Sequence, residues 1–153
     1  MRRTIEKMAS LVFSFLLFSW VANPVHEKFH MLTANALGVE GYVTFYWWMD
    51  YFNYVGPVDE GKRVIIGLSG GLLTGLLFGL AWYITHRQLR YTRWELDDTA
   101  ALGMVAITHI VYSFFDGFWK AQAYNGAGLG AIVAMVVALA IYGKPIIKWL
   151  EEE

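Results

Sequence analysis

The sequence predicts an all-α membrane protein of about four membrane-crossing helices. Three observations carry this reading. Of 153 residues, 57% are hydrophobic and only 16% are charged, with a mean hydropathy of +0.41, whereas soluble domains carry fewer apolar and more charged residues. The charges are bunched between long apolar runs and not spread over faces. Four of these runs come close to the roughly 20 apolar residues that a helix needs to cross a bilayer core of about 30 Å.

The first span covers residues 8–37. It is apolar or small to Ala22, and then Asn23 and Pro24 interrupt it. Asn23 as a cap with Pro24 at the first position of a new helix is one reading, and a kink at Pro24 in one continuous helix is another, so this element is expected to be broken or kinked. Arg2, Arg3 and Lys7 ahead of the apolar run resemble the start of a signal peptide. Trp20 stands where cleavage before or at Ala22 would require a small residue, so the span is expected to stay in the chain.

Residues 38–61 follow, rich in aromatics: Tyr42, Phe45, Tyr46, Trp47, Trp48, Tyr51, Phe52 and Tyr54. An interfacial aromatic belt and a short β-hairpin at the membrane surface both fit. The second span, 64–84, carries Gly67, Gly71, Gly75 and Gly79 at intervals of four, with Gly70 beside them. That stripe lets a neighbouring helix approach the backbone and puts this span inside the bundle. The third span, 100–118, starts behind Asp97-Asp98-Thr99, and the fourth covers 129–150. All of it is expected to form a single integral membrane domain, residues 1–153.

Orientation follows the Lys and Arg residues. Arg2, Arg3 and Lys7, then Arg87, Arg90 and Arg93, then Lys144 and Lys148 all place both termini in the cytoplasm of a multi-pass cell-membrane protein. Lys62 and Arg63 weigh mildly against this. The net charge of −1 offers no hint of a nucleic-acid partner, and the absence of cysteine excludes disulfides and thiolate metal sites. A metal would have to bind through His, Asp or Glu.

His26-Glu27-Lys28-Phe29-His30 reads H-E-x-x-H. On a helix, residues four apart share a face, so both imidazoles can reach one Zn²⁺ while the Glu activates a water. Ionisable groups beside an apolar span are costly and point to function. The bland alternative is a short polar segment at the outer interface, which Lys28 favours, since a cation beside a metal must turn away or snorkel to water. Zinc needs a third protein ligand. His26 and Asp116 each lie about 17 residues beyond the start of their spans, and thus roughly 26 Å across. Asp116 is the one carboxylate inside the third span, and Gly117 beside it permits close approach. Capping of the span's outer end is the other use for Asp116. His109 lies on nearly the same face but about 10 Å deeper, which suits a structural residue or a water path better than a ligand. His86, next to Arg87, reads as an interface residue.

His26 to His30, then Gly70-Gly71-Leu72-Leu73-Thr74-Gly75, then Phe115-Asp116-Gly117 together resemble the site-2 protease family of intramembrane metalloproteases. Residues 34–39, A-N-A-L-G-V, are similar to the stretch that follows that family's metal motif. The resemblance covers residues 11–117 and leaves the fourth span as an addition. It implies a zinc endopeptidase acting on a transmembrane protein substrate, with His26, His30 and Asp116 on Zn²⁺ and Glu27 as the catalytic base. It also implies a role for the 38–61 loop in receiving an unfolded substrate by strand addition. Two departures stand out: residues 108–115 lack the Asn and prolines usual before the Asp, and no Asn follows Gly71. A catalytically inactive relative and a structural or regulatory subunit of a membrane complex are the alternatives. Glu27, which an inactive relative does not need, weighs toward catalysis.

Overall fold

The computed structural model describes residues 2–46, 50–88, 96–119 and 126–151. In chain order these form helix α1 (Arg2–Ala36), strands β1 (Gly41–Phe45) and β2 (Asp50–Tyr54), helix α2 (Glu60–Gln88), helix α3 (Leu96–Phe114), a π-helical turn (Phe115–Trp119) and helix α4 (Gly126–Glu151). Among the described residues, four helices are long and apolar enough to cross a membrane, consistent with a multi-pass membrane protein. Each begins a few residues before its apolar run.

Of the two forms open at Asn23-Pro24, the helix is uninterrupted: α1 runs through Pro24 to Ala36. Proline adds no N–H to the helix ladder, and the turns on both sides hold the helix together. Helix α4 likewise continues through Pro145 to Glu151. The end of α1 is set by Gly38, whose φ of 65° places it in the left-handed region that glycine enters without steric cost. The Val39 N–H then donates to the Ala34 carbonyl (2.8 Å) and the Gly38 N–H to that of Asn35 (3.1 Å). This pair of bonds closes a Schellman motif. Its apolar contact is visible in the core, where Ala34 and Val39 pack with Ile66.

The aromatic 38–61 segment contains the hairpin. β1 and β2 pair antiparallel with Gly41 opposite Tyr54 and Phe45 opposite Asp50. Trp47 and Trp48 lie outside the described residues. Beyond it, Asp59 caps α2, its carboxylate accepting from the Lys62 N–H (3.2 Å).

Helices α1, α2 and α3 pack against one another, and α4 lies mainly against α3. One apolar cluster joins Ala22 of α1, Phe78 of α2 and Leu102, Val105 and Ala106 of α3. A second joins Leu11 to Ala100 and Ala101, with Tyr142 and Trp149 of α4 against it. The glycine stripe of α2 is what brings α3 close. A Cβ at Gly71 would stand 2.6 Å from the His109 carbonyl oxygen, and one at Gly67 2.7 Å from that of Asp116. Near the other end, Ser10 donates to Asp97, and the Ser14 hydroxyl donates to Asp98 (2.5 Å). The acidic pair at the head of α3 therefore also ties α3 to α1. Outward-facing Phe13, Leu16, Trp20, Leu76, Leu80, Ile132 and Val136 are exposed, which leaves an apolar outer face suited to lipid.

Candidate metal centre

The H-E-x-x-H segment lies in the C-terminal third of α1, where one helical turn separates His26 from His30 and puts both rings on the face turned toward α2 and α3. Asp116 enters from the π-helical turn that continues α3. A π turn widens the helix locally, and such turns recur at functional sites. Gly117 lets the turn press against Leu68, and Gly67 receives the Asp116 backbone. Two glycine contacts therefore deliver one carboxylate to the centre of the bundle.

The three candidate ligand atoms converge. His26 Nε2 and His30 Nε2 are 2.8 Å apart, and Asp116 Oδ2 lies 3.0 Å from His30 Nε2 and 3.4 Å from His26 Nε2. Zn²⁺ bound at about 2.0–2.1 Å by tetrahedral donors separates them by about 3.3 Å, so the triangle is close to the size that a single ion requires. His26, Glu27, His30 and Asp116 are each no more than 5% exposed. The buried His26-Glu27-His30 group can in principle hold a metal ion.

Proton accounting supports the fit. His30 Nδ1 lies 2.6 Å from the Ile66 carbonyl, which can only accept, so Nδ1 carries the hydrogen and Nε2 presents a lone pair. That lone pair faces a second imidazole nitrogen and a carboxylate oxygen. Either a hydrogen on His26 Nε2, donated to His30 Nε2 at 2.8 Å, or a cation at the centre satisfies this arrangement; with both imidazoles offering lone pairs, the crowded acceptors need positive charge between them. A carbonyl-anchored Nδ1–H is also the usual outer partner of a metal-binding histidine.

Glu27 is placed differently. Its Oε1 is 4.0 Å from His26 Nε2, beyond the ligand triangle and at the distance of a group that acts through an intervening water. Its Oε2 accepts from the Phe52 N–H at 2.6 Å. The Val55 N–H bonds to the Glu40 carbonyl; with Gly41 opposite Tyr54, alternation along the ladder turns the Phe52 N–H outward. This outward N–H meets α1. Strand β2 thereby fixes one carboxylate oxygen and leaves the other toward the centre.

The remaining residues singled out from the sequence fall as follows. Lys28 is exposed, its ammonium 5.9 Å from the centre of the Phe45 ring, and so turns away from the site. His86 stacks on Trp82 and takes no part. His109 is nearer than helix rise alone suggests: its ring centre is 5.7 Å from that of His26. The two site imidazoles themselves occupy one turn of depth, about 6 Å, and the deeper one meets His109. Gly70, read as part of a packing stripe, abuts the His30 ring. The contacts of Ile66 C=O and Phe52 N–H are made by backbone and had no signal in the sequence.

Comparison with family models, with curated proteins and with solved structures finds no match. The functional reading therefore rests on the residues and their geometry.

Proposed function

We propose that this protein is an intramembrane zinc endopeptidase of the kind the site-2 protease resemblance implies, cutting a transmembrane protein substrate within the bilayer. The observation that carries the reading is the convergence of His26 Nε2, His30 Nε2 and Asp116 Oδ2 within 3.4 Å of one another, with Glu27 just outside the triangle. His26, His30 and Asp116 would hold Zn²⁺. When bound there, Zn²⁺ supplies a Lewis acid that polarises a carbonyl and acidifies water.

The chain's own groups do the rest. Glu27 Oε1 takes the proton from the attacking water and returns it to the leaving amine. The Phe52 N–H on Oε2 keeps the carboxylate in that orientation through both transfers. The Ile66 carbonyl holds His30 in the tautomer that offers Nε2. Burial excludes bulk water and strengthens each of these interactions. A substrate helix hides its carbonyls in its own hydrogen bonds, so it must unwind locally before cleavage, and the hairpin is the element beside Glu27 that an extended segment would meet. The Lys and Arg distribution supports a topology with both termini in the cytoplasm.

A second reading is a metal-holding regulatory relative without cleavage, favoured by the absence of Asn and Pro from residues 108–115. Glu27→Gln separates the two. Co-expressed with a panel of single-span reporter proteins, the wild type should release cleaved fragments and the variant should not, while both bind zinc. Equal cleavage by the variant would overturn the protease reading.

A further inference from the structure

The site leaves one nitrogen of His26 unaccounted for. If His26 Nε2 presents its lone pair to the centre, its hydrogen sits on Nδ1. Nδ1 is buried and has no hydrogen-bond partner among the described residues. A buried donor without an acceptor costs on the order of 1–3 kcal/mol, and metal-binding histidines almost always give this N–H to an acceptor.

Among the described residues, the rings of His109 and Tyr112 lie beside that imidazole, 5.7 and 5.8 Å between centres. His109 Nδ1 lies 2.9 Å from the Val105 carbonyl, an acceptor only, so the His109 hydrogen is on Nδ1 and Nε2 carries a lone pair. Thr74 of α2 is fully buried, and its Oγ1 likewise has no partner among the described residues. Its level is set from both sides. One turn before it on α2, Gly70 abuts His30, and one turn after it Phe78 stacks on His109. His26, between His30 and His109, is therefore at the height of Thr74. A donor, an acceptor and a hydroxyl thus share one buried level of the bundle.

We propose that His26 Nδ1, His109 Nε2 and Thr74 Oγ1 together form a buried water site, and that His109 is a positioning residue holding His26 through that water. The imidazole centres are 5.7 Å apart, close enough for one water beside the two rings to lie about 2.7–3.2 Å from a nitrogen of each. Three polar partners meet what a buried water needs. The Phe78 ring lies nearly parallel to that of His109, 6.4 Å between centres. The inference rests on the metal reading above, because only a His26 that offers Nε2 to an ion has to place its hydrogen on Nδ1.

The test compares three substitutions of His109 in the full chain in detergent, with Zn²⁺ affinity read by competition with a chromogenic chelator. Leu removes both nitrogens. Asn carries its amide at the level of Nδ1, and Gln carries it out to the level of Nε2. His109→Leu and His109→Asn should weaken zinc binding about 10–100-fold, and His109→Gln should stay within about threefold of wild type. Thr74→Val, which replaces only the hydroxyl, should weaken it by several-fold and carries the test if a His109 variant does not fold. Wild-type affinity in His109→Leu, equal losses in Gln and Leu, or wild-type affinity in Thr74→Val would overturn the water site while leaving the metal centre standing. A wild type that binds no zinc would overturn both.

Discussion

Gly70→Ala tests how tightly the bundle is built around His26 and His30, the histidines proposed to hold the metal. A Cβ at Gly70 would stand 2.7 Å from His30 Nδ1 and nearer still to Cε1 and Nε2, where ordinary contact begins at 3.4 Å. The ring would have to retreat by about 0.7 Å or more, whereas metal–ligand distances hold to within about 0.2 Å. It cannot rotate aside freely, because Nδ1 is bonded to the Ile66 carbonyl, one turn away on the same helix as Gly70. The expected result is a loss of zinc affinity of at least about 10–100-fold together with about 1–3 kcal/mol of overpacking cost. Gly79→Ala is the internal control. Its Cβ would meet only the Ala106 Cβ at 3.9 Å, so zinc affinity should be unchanged and stability should rise by up to about 1 kcal/mol from helix propensity. Chelator competition and thermal melting in detergent read both effects. Wild-type zinc affinity in Gly70→Ala would refute the placement of His30 against α2.

Other substitutions probe the remaining contacts. Phe52→Pro removes the N–H that fixes Glu27, while Phe52→Ala keeps it. Cleavage of a reporter should therefore fall further in Pro than in Ala, by the roughly 1.5–3 kcal/mol that a hydrogen bond to a charged group contributes, with zinc content equal in the two. Ser14→Ala breaks the bond to Asp98 and should lower stability by about 1–3 kcal/mol, seen as a lower melting temperature with unchanged zinc binding. Glu27→Gln should bind zinc like the wild type and release no fragments, so that metal content and product formation separate in a single variant.

Much of this architecture is legible in the residues because its signals are chemical. Two histidines one turn apart with a Glu between them, and a lone carboxylate at matching depth in another span, mark the centre before any coordinates. Glycines at intervals of four mark where α3 approaches α2. The aromatic stretch after α1 left a belt and a hairpin both open, since rings that anchor at an interface also suit strands. What escaped the sequence is mostly backbone. Neither the Ile66 carbonyl behind His30 nor the Phe52 N–H on Glu27 depends on side-chain identity, so no residue type announces them. The π turn that carries Asp116 packs closely through Gly67 and Gly117 against facing chain, which composition does not reveal. Pro24 left a broken helix and a continuous kinked one both open, and α1 runs through it, as α4 does through Pro145, because the turns on either side of each proline keep their own hydrogen bonds and apolar packing. His109 seemed remote by helix rise alone, a measure that ignores the turn of depth filled by the imidazoles of His26 and His30.

The most direct test of the central claim is the zinc content of the detergent-purified wild type measured beside Asp116→Ala. The account predicts close to one zinc per chain in the wild type, and loss or strong weakening of binding in the variant, since two imidazoles alone leave the ion without its third protein ligand. A well-folded wild type that binds no zinc, or an Asp116→Ala protein that binds it as tightly, would contradict the three-ligand centre and the protease reading built on it.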